Sequence, residues 1–485
     1  MVYHKRSYVL KNFKIIFLII SVQLNAQWTS LIGDDLSNWK TVQGKAIFEL
    51  NDGIISSASV LNSPNTFLIT KDIYNDFILE FEAFVEEGLN SGVQFRSQIK
   101  EDHEPVPFPY VFGYQCEIDT NEFRRWTGGI YDESRSNLFL YPITYSRNSR
   151  YSFNNNQWNK FRIEAIGNSI KTFVNGIQCA NLLDDKSDQG FIGLQLHSIQ
   201  NENEVGKKVL WKNIRIATEK LEELVFDNQE HARIVNNIDN FLSDYEVKRG
   251  WEFLFDGKSF KGWRSAKGDS FPEKGWVIQN GHLVVESSDG SESKNGGDIV
   301  TIEKFDDFEL ELDFMVSKGG NSGIKYYVDT EKYKVQGSSI GLEFQILDDF
   351  NHPDAKKRVK VYELNLEKEY LVKDYVKSNR TVGSLYDLIE AKNLNEQRSK
   401  RPVKHDTWHR ARVISNNGIV EHWLDNIKVL EYNRYSQVFD ALVQYSKYSE
   451  YEDFGKLKSG NILIQDHGDL VKFKNIKIRR LNNEK

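Results

Sequence analysis

The 485-residue chain has little of what marks several large protein classes. It holds only two cysteines, Cys116 and Cys179. They rule out a disulfide framework, and both fall inside strand-like segments, where two buried thiols are expected rather than a bridge. Eight prolines and the lack of any low-complexity tract exclude long disordered stretches. Past the first 26 residues no apolar run approaches membrane-spanning length. Lys and Arg total 63 against 70 Asp and Glu, a net charge of −7 with no basic footprint for nucleic acid. Three chemistries also lack their motifs. There is no His/Cys metal-ligand spacing, no glycine-rich phosphate loop and no nucleophile elbow.

What is present starts at the N-terminus. Lys5, Arg6, Lys11 and Lys14 precede an apolar run from Ile15 to Val22, and Ala26 offers a small residue before a cut. This reads as a signal peptide over residues 1–26, so a secreted or periplasmic protein with no membrane span is expected.

The mature chain repeats itself. Asp76-Phe-Ile-Leu-Glu-Phe-Glu82 leads to Asn90-Ser-Gly-Val93, and Asp307-Phe-Glu-Leu-Glu-Leu-Asp313 leads to Asn321-Ser-Gly-Ile324. Both pieces share one offset, 231 (307 − 76 and 321 − 90). Further matches follow in order: Trp28 to Trp39 with Trp251 to Trp263, Trp158-Asn159 with Trp408-His409, and Lys212-Asn-Ile214 with Lys474-Asn-Ile476. Matches in the same order along both halves mean a tandem duplication. The modules run over 27–217 and 250–485. Between them, residues 218–249 space Leu221, Leu224, Val225, Ile234, Val235, Ile238, Phe241 and Leu242 as a helix would, so a helical linker is expected. The second module carries an insertion from Gln437 to Lys458, rich in Tyr and charge.

Within each module the pattern is β. Phe77, Leu79 and Phe81 alternate with Glu80 and Glu82, as Phe308, Leu310 and Leu312 do with Glu309, Glu311 and Asp313. Turn signals punctuate the strands at Asn51-Asp52-Gly53, Asn175-Gly176, Asn280-Gly281 and Asn416-Asn417-Gly418. The expected fold is all-β, two antiparallel sandwiches or jelly rolls in tandem.

The same alternation sorts polar groups onto one face. Gln115, Glu117 and Asp119 oppose Tyr114, Cys116 and Ile118, while Glu343 and Gln345 oppose Leu342, Phe344 and Ile346, with Asp348 just beyond. Such a row can bind sugar hydroxyls and supply an acid or base, or it can be a solvated sheet face. Gln195 with His197, and Gln465 with His467, recur at matching places, which favours a shared site. Asn90, Gln94 and Arg96 alternate likewise against Asn321, Lys325 and Tyr327. The Asn-Ser-Gly run also reads locally as a tight turn or bulge. Trp126, Tyr131, Trp263 and Tyr386 suit either ring stacking or core packing. Asp348-Asp349 with His352 and Asp354 offers oxygen donors for a divalent cation such as calcium, or a solvated acidic loop. The sequence itself requires no cofactor.

At these residues the chain resembles the 3-keto-disaccharide hydrolase domain family, a concanavalin-like jelly roll. The first module carries Gly113-Tyr-Gln-Cys-Glu-Ile-Asp119 and Trp126-Thr-Gly-Gly-Ile-Tyr-Asp-Glu133. The second carries Gly341-Leu-Glu-Phe-Gln-Ile-Leu-Asp-Asp349, His352-Pro-Asp-Ala355, Gly383-Ser-Leu-Tyr-Asp387, His422-Trp423 and Gln465-Asp-His-Gly468. The resemblance implies cleavage of glycosides whose glucose unit is oxidised at carbon 3. A C3 ketone acidifies the C2 hydrogen, so one base can remove it and the enolate can expel the C1 substituent before water adds. Such a site needs a base, an oxyanion holder and an acid. In the second module His467 or Glu343 is expected as base, and Lys325 or a bound cation as oxyanion partner. Asn321, Gln345, Asp348, Tyr386 and Gln465 are expected to hold the sugar. In the first module the counterparts are His197, Glu117 and Arg96, with Asn90, Gln115, Asp119, Tyr131 and Gln195. Carboxylate and amide are exchanged between the modules (Gln115/Glu117 against Glu343/Gln345), so their roles need not be identical. The alternative function is glycan binding by two lectin-like modules without catalysis.

Overall fold

Period-2 alternation becomes paired strands wherever one face can be buried. Phe77–Val85 and Phe308–Val316 are the central strands of two equivalent sheets. The computed structural model describes residues 28–101, 109–288, 295–332, 340–356, 359–364, 370–375, 379–392, 394 and 400–481. The expected signal peptide lies outside them.

Each module is a sandwich of two sheets. In the first, an outer sheet of nine strands is centred on Phe77–Val85, Asn159–Ile166 and Lys208–Ala217. A seven-stranded site sheet runs in the order Phe139–Tyr141, Ile130–Glu133, Tyr110–Asp119, Asn90–Lys100, Phe191–Leu196, Thr66–Thr70 and Trp39–Gln43. In the second, eight outer strands centred on Phe308–Val316, His409–Asn416 and Val471–Arg480 face a five-stranded site sheet. Its order is Trp263–Ser265, Ile299–Thr301, Asn461–Ile464, Asn321–Val328 and Leu342–Leu347. A separate hairpin pairs Val359–Leu364 with Tyr370–Tyr375. This is the all-β tandem jelly-roll architecture that the repeats imply.

The cores form where the two sheets of each module face one another. Phe77, Leu79, Phe81, Ile163 and Trp211 meet Val93, Tyr114, Cys116 and Leu194. In the second module Phe308, Leu310 and Leu312 meet Ile324, Phe344, Ile346 and Ile464. Each such side chain contributes roughly 1.5–3 kcal/mol by leaving water. Cys116 and Cys179 are both buried and unbridged, and burial pushes both thiols up, Cys179 to about 12. Trp126 and Trp263 belong to these cores and not to a sugar platform.

The segment between the modules departs from the helical expectation. It contains one 3-10 turn, Leu221–Glu223, a two-residue strand, Val235–Asn236, and a five-residue helix, Asp244–Lys248, closed by a Ser243/Glu246 capping box. Its apolar residues anchor separately instead of forming one stripe. Leu221 and Leu224 pack on Ile78 and Ala217, and Val235 pairs with Leu182 as an added strand of the first outer sheet. Val225 and Phe241 remain exposed.

The modules also grip each other directly. Tyr145 of the first stacks on Trp423 of the second at 5.6 Å between ring centres, and its hydroxyl donates to Asn426 Oδ1 at 2.8 Å. Arg233 reaches Glu309 at 2.7 Å, inside a buried charge cluster that includes Glu311, Asp313, Arg410, Arg412, Lys477 and Arg479. Among the described residues no helix is long and apolar enough to cross a membrane.

Candidate functional site

The face of each site sheet turned away from the core carries the polar alternation. In the second module Lys325 stands directly opposite Glu343 on the neighbouring strand, and Gly323 opposite Gln345. Gln465 joins beside them, its backbone N–H donating to Gly323 O at 3.0 Å. Asn321 lies on the same face, and Gln345 Nε2 donates to Asn321 Oδ1 at 3.2 Å. Lys325, Glu343, Gln345, Asn321 and Gln465 are all buried.

Gly323 is a strand residue and not a turn. A Cβ there would fall 2.2 Å from Glu343 Oε1, so glycine leaves the space in which that carboxylate lies. Gly92 does the same for the Gln115 side chain in the first module, 2.4 Å from its Cδ. Gly323→Ala is therefore expected to displace Glu343 and lower kcat/KM by about a hundredfold. The melting temperature should hold, because the backbone there needs no left-handed geometry. Steady-state kinetics with a thermal melt checks both.

The loop bearing Tyr386 is laced to the free edge of the Leu342–Leu347 strand. Gly383 N–H donates to Gln345 O, and Tyr386 N–H to Glu343 O. Over the Tyr386 ring stand the Arg380 guanidinium and the Lys447 ammonium, 5.2 and 4.4 Å from its centre. Lys447 pairs with Asp387 at 2.8 Å and Arg380 with Asp354 at 3.2 Å. Burial, with the nearby Asp387 and Glu343 charges, raises the Tyr386 phenol, and Glu343 also raises Tyr448. Lys447 and Tyr448 come from the insertion, and neither they nor Arg380 was identifiable from local pattern.

His467 is half-buried and makes no hydrogen bond among the described residues. It lies near His352, which burial and the His467 charge both push down. Asp348, expected to hold sugar, is instead committed to its own loop. It accepts from Gly319 N–H at 2.8 Å, Asn351 Nδ2 at 2.6 Å and Phe350 N–H at 3.0 Å. Burial would raise its carboxyl, but those donors hold it low. Asp349 is likewise taken up by Lys400 at 2.6 Å and the Val382 and Val403 amides. Among the described residues no three His, Cys, Asp or Glu side chains converge.

In the first module the corresponding pair is neutral. Gln94 faces Gln115 across the strands, and Gln94 Nε2 donates to Gln115 Oε1 at 2.6 Å. Glu117 accepts from Asn90 Nδ2 at 2.7 Å, Gln115 Nε2 at 2.9 Å and Arg124 Nη2 at 2.9 Å. Burial raises its carboxyl, and Arg124 opposes that rise. Asp119 shares the same Arg124, at 2.7 Å. Tyr131 stands opposite Gln115, and burial with the Glu133 charge pushes its phenol up to about 12. Gln195 is fully buried beside Gly92, and neither atom of its amide has a partner. His197 donates from Nδ1 to Ser198 O at 2.7 Å.

Arg96 does not belong to this face. A bulge between Phe95 and Gln98, with Arg96 at φ 46°, breaks the alternation. Its guanidinium points instead to Asn75 O, Gly167 O and Asp76 at the module's edge. The matching bulge in the second module sets Tyr327 at φ 53° and sends its hydroxyl to Asp306 O and Ser415 Oγ. The structural counterpart of Lys325 is Gln94, not Arg96.

A profile of the 3-keto-alpha-glucoside-1,2-lyase-like domain matches residues 27–217 and again 250–479. A 3-keto-disaccharide hydrolase of Bacteroides thetaiotaomicron is 35% identical over 253 residues, covering 48% of this chain and 79% of that protein. A crystal structure of a candidate glycosyl hydrolase from Parabacteroides distasonis is 28% identical, with a TM-score of 0.40, over 50% of this chain and 99% of that one. The carbohydrate-binding module CBM66 of Bacillus subtilis aligns at 14% identity and a TM-score of 0.27, over 37% of this chain and 95% of that one. With both modules matched and a curated relative covered over most of its length, the chain belongs to the 3-keto-alpha-glucoside-1,2-lyase-like domain family.

Proposed function

We propose that this protein is an exported glycosidase whose second module cleaves 3-keto-glucosides by elimination followed by hydration. The observation that carries the reading is the opposed Lys325–Glu343 pair on a buried polar face shared with Asn321, Gln345 and Gln465. The chemistry uses that pair directly. The imidazole of His467 removes the C2 proton. Lys325 stabilises the negative charge that moves to the C3 oxygen, where a preorganised cation acts most strongly. Glu343 orients Lys325, and Tyr386, under Arg380 and Lys447, contacts the sugar ring. The C1–O bond breaks as the enone forms, and the leaving oxygen takes a proton. Water then adds at C1, its proton replaces the one lost, and C2 is reprotonated, giving net hydrolysis.

The family and the curated 3-keto-disaccharide hydrolase support this substrate class. The test is release of aglycone from methyl 3-keto-α-glucoside and 3-keto-trehalose, beside the unoxidised sugars. Turnover of the keto sugars alone supports the reading. Absence of turnover with retained affinity for glycans would move both modules to binding.

A further inference from the structure

The first module lacks the charged pair of the second, yet it keeps a histidine and a buried polar face. Gln94 and Gln115 replace Lys325 and Glu343. Glu117 is held by three donors, one of them cationic, and Asp119 shares that cation. One carboxyl on this face stands apart. Glu133 lies on the neighbouring strand Ile130–Glu133, opposite Gly113, in the same alternation as Tyr131 opposite Gln115. It is 8% exposed and has no ion-pair partner among the described residues. Its Oε1 accepts from Asn65 Nδ2 at 3.2 Å, and Asn65 Oδ1 in turn accepts from the Ser198 amide at 2.9 Å. The same Ser198 carbonyl receives His197 Nδ1–H, so the Nε2 lone pair of His197 is left as an acceptor. The matching position in the second module is Leu388, which packs in the core.

We infer that the first module is a second, chemically distinct active site in which Glu133 is the general acid and His197 the base. This rests on the proposed activity and adds to it a dedicated acid for the leaving group. His197 Nε2 takes the C2 proton, and the C1–O electrons depart with the aglycone oxygen. Glu133 protonates that oxygen, so a free alcohol leaves. Water then adds at C1 and its proton returns to Glu133, while His197 returns its proton to C2. The unpartnered, fully buried amide of Gln195 on the same face supplies hydrogen bonds for the sugar. Burial pushes the Glu133 carboxyl up to about 7, with Glu117 and Asp132 as the like charges nearby and Tyr131 beside it. An acid of this kind is competent below that value and fails above it.

The test uses the full chain carrying His467→Ala, which silences the second module, with Lys325→Met as an alternative background. Residual turnover of methyl 3-keto-α-glucoside is expected, with a rate that falls as pH rises through about 7. Adding Glu133→Gln should lower that rate at least ~100-fold and remove the alkaline limb. Turnover of the p-nitrophenyl analogue, whose phenolate leaves unaided, should fall less than ~10-fold. Glu133→Asp, which keeps the carboxyl, should restore part of the methyl-glycoside rate. An active wild type whose silenced variant has no residual turnover, or equal losses on both substrates, overturns the inference while leaving the second module's activity standing. A wild type inactive on every keto sugar overturns the underlying function instead.

Discussion

Replacing His467 by alanine is expected to lower kcat on a keto glucoside by ~10²–10⁴-fold in the second module, with substrate affinity little changed. The ring is half-buried and holds no hydrogen bond among the described residues, so its loss breaks none. A thermal melt should accordingly match the wild type. His352 lies close enough to feel the charge of His467 and is itself pushed down by burial. Lys325→Met should show a comparable fall by removing the cation at the developing oxyanion. Exchange of the C2 hydrogen with deuterated solvent survives loss of a leaving-group acid and disappears with loss of the base. Retained C2 exchange in the His197→Ala/His467→Ala double variant would assign the base to Glu343 instead.

The second large effect concerns the join between the modules. Glu309 is 1% exposed and faces Arg412 at 2.5 Å, with Arg233 and Arg479 both at 2.7 Å. Glu309→Ala leaves the buried Arg412 and the partly buried Arg233 and Arg479 without their partner, a change that costs about 3–5 kcal/mol. The transition of the second module should drop by about 10 °C in calorimetry. An unchanged transition would mean that water reaches the cluster and screens it. The acid limb follows from the same contacts. Burial would raise the Glu309 carboxyl, but Arg412, Arg233 and Arg479 overcome it and hold it at about 2, below its ordinary 4.5. A depressed folded-state pKa contributes stability that is complete above pH 4.5 and lost as pH falls toward 2. The wild type should therefore lose stability through that window more steeply than Glu309→Ala.

Much of the site was legible in the residues. Alternation placed Gln115 and Glu117 on one face and Tyr114 and Cys116 on the other, and the strands keep that division. The common offset between Asn90-Ser-Gly and Asn321-Ser-Gly identified matched strands, and both glycines do the same job, clearing room for a side chain diagonally across on the neighbouring strand. The Asn-Gly turns fall where expected, with Asn175, Asn280 and Asn417 at positive φ ahead of their glycines.

Where the pattern misled, a local break was responsible. Arg96 and Tyr327 sit at bulges, and one extra residue in a strand exchanges its faces without changing composition. The helical spacing between the modules reflected single anchors onto neighbouring structure, which mimic a stripe when counted along the chain.

The sequence by itself determined the duplication, the β architecture and the polar row of each module, because side-chain period and turn chemistry act over a few residues and need no distant partner. Only the tertiary structure decided which polar groups are free to react. Arg124 neutralises Glu117 from a loop, Lys447 arrives over Tyr386 from an insertion, and Asn65 reaches Glu133 from the loop ahead of another strand of the sheet. Those pairings depend on how loops close over a curved sheet, and no spacing along the chain encodes a distance through space.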